Sequence, residues 1–142
     1  MEIVCALAEH QNAVYDLICE LEGKAIDKTQ FELAFLHNIT NEDIYYLLAI
    51  ENDVLLGFAS LHIQLLLHHA GTIGEIQEFI VDHKSRGQGV GMMLYQGLKQ
   101  IAMERGCVSF EVSCNQSRKE SHSFYINRGM GNTHHKFTLP LI

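Results

Sequence analysis

Hydrophobic and polar positions follow two periods along this chain, and the periods mark out its elements. "EIVCALA" opens it as a short run of edge-strand character. Val14, Leu17, Ile18 and Leu21 then recur at i, i+3, i+4 and i+7, one face of a helix, which Gly23 stops. Asp27 stands three residues before Gln30, the spacing of a capping pair, ahead of a second helix carrying Phe31, Phe35 and Leu36. "IYYLLAIENDVLLGFASLHIQLLLHH" reads as two strands joined by a hairpin at Glu51-Asn52-Asp53. Ala70-Gly71 then turns the chain into "TIGEIQEFIVDH", a further strand rich in Ile, Phe and Val.

The second half continues the alternation of strand and helix. Val90, Leu94, Leu98 and Ile101 define a helix that ends at Gly106. "CVSFEVSC" reads as a strand, "KESHSFYINRG" as a helix ended by Gly129, and "HHKFTLPLI" as a last strand. The order β, α, α, three antiparallel strands, α, β, α, β predicts an α/β fold: a mixed, mostly antiparallel central sheet flanked by helices. One proline, no Ser/Gly/Pro-rich linker and no repeat predict a single domain over 1–142.

Composition narrows the classes of function. Apolar residues make up 47% of the chain, which suits a packed globule. No apolar run approaches the roughly 20 residues that span a bilayer, and no basic-then-apolar leader follows Met1, so no membrane partner and a cytoplasmic location are expected. Ten Lys and Arg against seventeen Asp and Glu give a net charge of −7, which argues against a nucleic-acid partner. Cys5, Cys19, Cys107 and Cys114 lie far apart without a C-x-x-C pair, so they read as buried free thiols rather than a zinc site.

"SRGQGVGMML" is the stretch that carries chemistry. Three glycines in five positions lead directly into a helix, where free N–H groups and the positive end of the helix dipole converge on one spot. Such a spot suits phosphate. A nucleotide-binding loop of the Walker type needs Lys-Ser/Thr after its last glycine, and here Met92-Met93 follow Gly91. A dinucleotide fingerprint needs a third glycine where Met92 stands, and a parallel βαβ setting.

"VDHKSRGQGVGMML" resembles the acyl-CoA pyrophosphate loop of the GNAT superfamily of N-acetyltransferases, R-x-x-G-x-G ahead of a helix. Arg86, Gly89 and Gly91 fall on its three fixed positions. A strand ending in "FIV" five residues before Arg86 and "FYINRGM" near the C-terminus extend the likeness over nearly the whole chain. "VYDLICEL", "LHIQLLLHH" and "IGEIQEFIV" further resemble the aminoalkylphosphonate N-acetyltransferases.

The resemblance implies a GNAT fold, acetyl-CoA as co-substrate and direct acetyl transfer to the primary amine of a small molecule, such as aminomethylphosphonate or 1-aminoethylphosphonate. The N–H groups of Gln88, Gly89, Val90, Gly91 and Met92 would cradle the pyrophosphate, with Arg86 at the flank. The strand edge at Phe79, Ile80 and Val81 would bond the pantetheine amides. The acceptor arrives as an ammonium and must lose a proton before it attacks. Glu78 is the candidate base, with Glu75 as the alternative, placed on the opposite face by regular strand alternation. Tyr125 would protonate the leaving thiolate. Asn115 is a further cofactor-binding candidate, at a spacing longer than the family's.

A phosphonate dianion needs cationic or metal partners, and the candidates are His62, His68, His69, Arg118, Lys119, Arg128 and His134. The narrower resemblance implies a divalent metal, for which no ligand set is assigned; His68 and His69, adjacent in a strand, would point to opposite faces. It also implies a homodimer. Acetylation of another small amine, a polyamine or an aminoglycoside, stays open, and the acidic chain suits such polycations. A non-catalytic acyl-CoA-binding regulatory module is the alternative outside enzymes.

Overall fold

The computed structural model describes all residues, 1–142. Its elements are β1 (Glu2–Cys5), α1 (Gln11–Glu22), α2 (Lys28–Asn38), β2 (Ile44–Glu51), β3 (Val54–Leu66), β4 (Gly71–Val81), α3 (Val90–Glu104), β5 (Ser109–Val112) and α4 (Lys119–Ile126). The strands form one sheet in the order β1-β2-β3-β4-β5, antiparallel except for the parallel β4–β5 pair.

Local chemistry accounts for the element ends. Gly23 closes α1 at φ 72°, a left-handed position that glycine takes without penalty, and its N–H bonds the Cys19 and Glu20 carbonyls. The Asp27 side chain accepts the Gln30 N–H at 2.8 Å and caps α2. Asn52 and Asp53 both adopt positive φ, the conformation that lets a two-residue turn follow the twist of β2 and β3.

Alternation along the strands builds two cores. Leu47, Ala49, Ala59, Leu61, Ile63 and Ile76 face α3, where Val90, Leu94 and Leu98 meet them. Leu48, Phe58 and Ile80 face the other way, onto Val14, Leu17, Ile18 and Phe35 of α1 and α2. The α3 layer is thin because small residues line it. A Cβ on Gly57 would stand 2.9 Å from Leu94 Cδ1, and one on Gly97 would stand 2.9 Å from Leu47 Cδ1.

Four expectations need correction. Residues 134–142 form no strand: the chain from 131 to 142 is irregular and exposed throughout, so the apolar alternation of Phe137, Leu139 and Leu141 finds no sheet edge here. His68 and His69 leave β3 and form a 3-10 turn with ring centroids 4.5 Å apart, so the opposed-face geometry of a strand does not apply to them. Cys5 is exposed and the other three thiols are half-buried, because the short edge strand β1 is covered on one side only.

The fourth correction bears on the site. Leu61 pairs with Ile76 and Ala59 with Phe79, so β4 carries one residue more than β3 between these pairs. This bulge opposite Ser60 resets the alternation. Ile76 and Phe79, three residues apart, both face α3. Glu75 and Glu78 therefore share the opposite face, where regular alternation would separate them.

Candidate active site

β4 and β5 pair only through Ile73–Ile76 and Ser109–Val112. Beyond Ile76 the last five residues of β4, Gln77–Val81, have no partner on the β5 side. A cleft of about 840 Å³ opens there, between that edge, the turn 82–91 and α4, with Glu20 and Leu21 of α1 at its side. Phe79, Ile80, Val81, Arg86, Gly89, Val90, Gly91, Met92 and Tyr125 all line it.

The glycine-rich turn has the geometry of an anion cradle. Gly89 is the N-cap of α3 at φ 83°, and no side chain caps the helix. The first main-chain bond of this end is Met93 N–H to the Gly89 carbonyl at 3.1 Å, which leaves the amides of Gln88 through Met92 without an acceptor in the chain. Gly87 and Gly89 are required by their positive φ. Gly91 is helical, and a Cβ there would make ordinary van der Waals contact, 3.5 Å from Phe124 and 3.6 Å from Phe79, two rings of the cleft wall. The exposed Arg86 side chain folds back, its Nε donating to the Val81 carbonyl at 3.2 Å.

At the other end, Tyr125 is buried against Phe79 and Phe124. Burial pushes its phenol well above the ordinary tyrosine value, the nearby Cys114 thiol adds to this, and Arg118 opposes it. The phenol is therefore protonated at neutral pH.

Glu78, Gln88 and Asn115 do not line the cleft. Glu78 points to the α1/α2 side, where the Ser60 hydroxyl donates to its carboxylate and accepts its main-chain N–H at 2.9 Å. Its neighbour across the bulge, Glu75, accepts from the Gln77 amide at 2.7 Å. Asn115 is occupied locally: its Oδ1 accepts the Ser117 N–H at 2.9 Å and the Ser117 hydroxyl at 2.7 Å, a turn that closes on itself.

Glu20 and Leu21 of α1, where no sequence motif signals a site, also wall the cleft, together with three of the phosphonate candidates, Arg118, Lys119 and Arg128. The Arg118 guanidinium crosses to the Leu21 carbonyl at 2.6 Å. Glu20 receives His83 Nδ1 at 2.6 Å on one carboxylate oxygen, while its other oxygen is buried without a partner. Glu20, Asp82 and His83 bring their ligand atoms within 4.8 Å of one another. The histidines of β3 and its turn make no such group; His69 pairs with Glu111 at 3.3 Å.

An anion-cradle geometry beside an open strand edge, with a buried phenol beyond it, is the arrangement that the resemblance to acyl-CoA-dependent transferases leads one to expect. Residues 11–131 match the acetyltransferase (GNAT) family, and the chain belongs to that family. It is a GNAT N-acetyltransferase, and acetyl-CoA is the donor that family membership implies. The chain is 38% identical over 140 residues to the aminoalkylphosphonate N-acetyltransferase of Salmonella typhimurium, covering 99% of this chain and 91% of that one. The fold is shared with a transcriptional regulator from Bacillus halodurans (TM-score 0.92, 18% identity, 99% of each chain). It is also that of glucosamine-6-phosphate N-acetyltransferase from Arabidopsis thaliana (TM-score 0.84, 19% identity, 99% of this chain and 98% of that one).

Proposed function

We propose that this enzyme transfers the acetyl group of acetyl-CoA directly to the primary amine of a short aminoalkylphosphonate. The likeness to the Salmonella enzyme over the whole chain carries the choice of acceptor. Acetyl-CoA lies along the cleft, with its pyrophosphate on the amides of Gln88 through Met92 and its pantetheine arm on the edge Phe79–Val81. Glu78 takes the ammonium proton, directly or through water, and Tyr125 returns a proton to the departing thiolate. The amine attacks the thioester carbonyl, the tetrahedral intermediate expels CoA, and no covalent enzyme intermediate is needed.

The cysteines stand outside this scheme, and Asn115 has no role in it, since its side chain is committed to its own turn. The transfer as written routes no step through a metal. If a divalent ion binds, Glu20, Asp82 and His83 are the residues with the donor set to hold it, and the unpartnered Glu20 oxygen fits that use.

The reading places the enzyme in the cytoplasm, where acetyl-CoA is made and used; no helix is long and apolar enough to cross a membrane. It also makes the enzyme a homodimer. The exposed apolar residues Phe137, Leu139 and Leu141 supply surface for a second copy, and sedimentation as a monomer would refute this.

The test is a CoA-release assay with aminomethylphosphonate, 1-aminoethylphosphonate and spermidine, each with and without chelator. Turnover of the phosphonates is expected. Turnover of spermidine alone would overturn the acceptor assignment.

A further inference from the structure

Arg118 is a half-buried cation on the cleft wall, and like Arg86 and Arg128 it forms no ion pair in a chain of net charge −7. Its single side-chain bond runs from Nη2 to the Leu21 carbonyl at 2.6 Å, which holds the guanidinium in the gap between the start of α4 and the end of α1. The Nε and Nη1 donors stay free beside the cleft, which Arg118 lines. A half-buried guanidinium with free donors is a ready partner for an anion.

The cofactor does not supply that anion. Its diphosphate belongs to the loop at 88–92, whose amides are free, and its 3′-phosphate hangs from the adenosine, on the side of the diphosphate away from the thioester. Arg128 is turned onto its own helix, stacking 3.5 Å over the Phe124 ring and donating to the Phe124 carbonyl at 2.7 Å. Arg118 lies instead on the α1 side, close enough for its charge to act on Tyr125 and Cys114. The thioester end carries no anionic group, so a cation there is surplus to donor binding.

We propose that Arg118 is the subsite for the anionic end of the acceptor, its free fork of N–H groups binding two oxygens of a phosphonate while the amine faces the thioester. The inference rests on the acceptor reading above and deepens it. Guanidinium geometry matches a tetrahedral dianion bidentately, and the Leu21 carbonyl fixes the fork before substrate arrives. Because the cation lies close to the phenol, only a short spacer between amine and phosphonate fits.

Steady-state kinetics of the full chain test this, with 1-aminoethylphosphonate and alanine as acceptors for wild type, Arg118→Gln and Arg118→Lys. In Arg118→Gln the KM for 1-aminoethylphosphonate is expected to rise about 10- to 100-fold, the size of a lost charge-assisted pair. The KM for acetyl-CoA stays within about two-fold, and the advantage over alanine collapses. Arg118→Lys, which keeps the charge and loses the fork, falls between the two and serves where the glutamine variant does not fold. An unchanged phosphonate KM, or a parallel rise in the acetyl-CoA KM, would overturn the assignment. Failure of the wild type to acetylate any aminoalkylphosphonate would instead sink the acceptor reading, so the two failures are told apart by which protein shows them.

Discussion

The Ser60 hydroxyl and the Glu78 carboxylate meet across β3 and β4 at the position where the ladder is out of step. Ser60 is completely buried, and it also accepts the Glu78 N–H at 2.9 Å. The bulge turns Glu78 to the α1/α2 face, and the serine holds it there.

Ser60→Ala leaves the Glu78 N–H without its acceptor, for a loss of about 1–3 kcal/mol in urea unfolding. It also frees the carboxylate, so kcat is expected to drop by roughly ten-fold. Glu78→Gln removes the proposed base, and kcat is expected to fall about 10²- to 10⁴-fold with acetyl-CoA affinity retained. Full activity of Glu78→Gln would exclude it as the base and turn attention to Glu75 on the same face.

Gly89→Ala and Gly91→Ala separate backbone need from ligand need. At φ 83° an alanine costs about 1–2 kcal/mol although nothing lies within 4 Å of its Cβ. Gly91 is helical, so alanine there keeps stability or gains up to roughly 1 kcal/mol. Its methyl would stand between a bound phosphate and the first amides of α3, and CoA affinity measured by calorimetry should fall by at least roughly ten-fold. Undiminished CoA binding by Gly91→Ala would count against the cradle.

Tyr125→Phe is expected to lower kcat about 10²-fold and to leave folding intact, since the phenol makes no hydrogen bond within the chain. Burial raises Tyr125 and Tyr46, so both stay protonated in the fold at a pH where the unfolded chain has ionised. Their contribution is present below the unfolded value of about 10 and is lost as pH rises from there towards the folded values. Melting temperature measured from about pH 8 to 11 should therefore fall, and fall less in Tyr125→Phe.

Arg105 ties the end of α3 to the start of β2 through Asp43 at 2.6 Å, the Glu42 carbonyl at 2.8 Å and the Tyr45 hydroxyl at 2.8 Å. Its bonds are largely exposed, so Arg105→Ala should cost about 1 kcal/mol and leave kcat and both KM values unchanged. An effect on acetyl transfer would show that the cleft depends on this distant clasp.

Much of the fold is legible in the pattern of residues. The i, i+3, i+4 spacing of Val14, Leu17, Ile18 and Leu21, the Asn52-Asp53 turn and the glycine loop act through neighbours in sequence. The loop announces an anion site because its helix end, its left-handed glycines and its free amides all lie within a few residues of one another. The alternation of Phe137, Leu139 and Leu141 looks like a strand for the same local reason. A strand also needs an edge to pair with, and no local pattern reports whether one is within reach.

Sequence alone thus determined the order of elements up to α4, the mostly antiparallel sheet and the glycine turn with its free amides, because each depends on periodicity or on backbone freedom within a short stretch. Tertiary structure decided that Glu75 and Glu78 share a face, that Asn115 closes on its own turn, and that Arg118 reaches α1. A bulge shows only in the pairing of two strands, and a side chain's partner comes from whatever the fold brings beside it. Those long-range juxtapositions are absent from any local window of the chain, and only the folded molecule shows them.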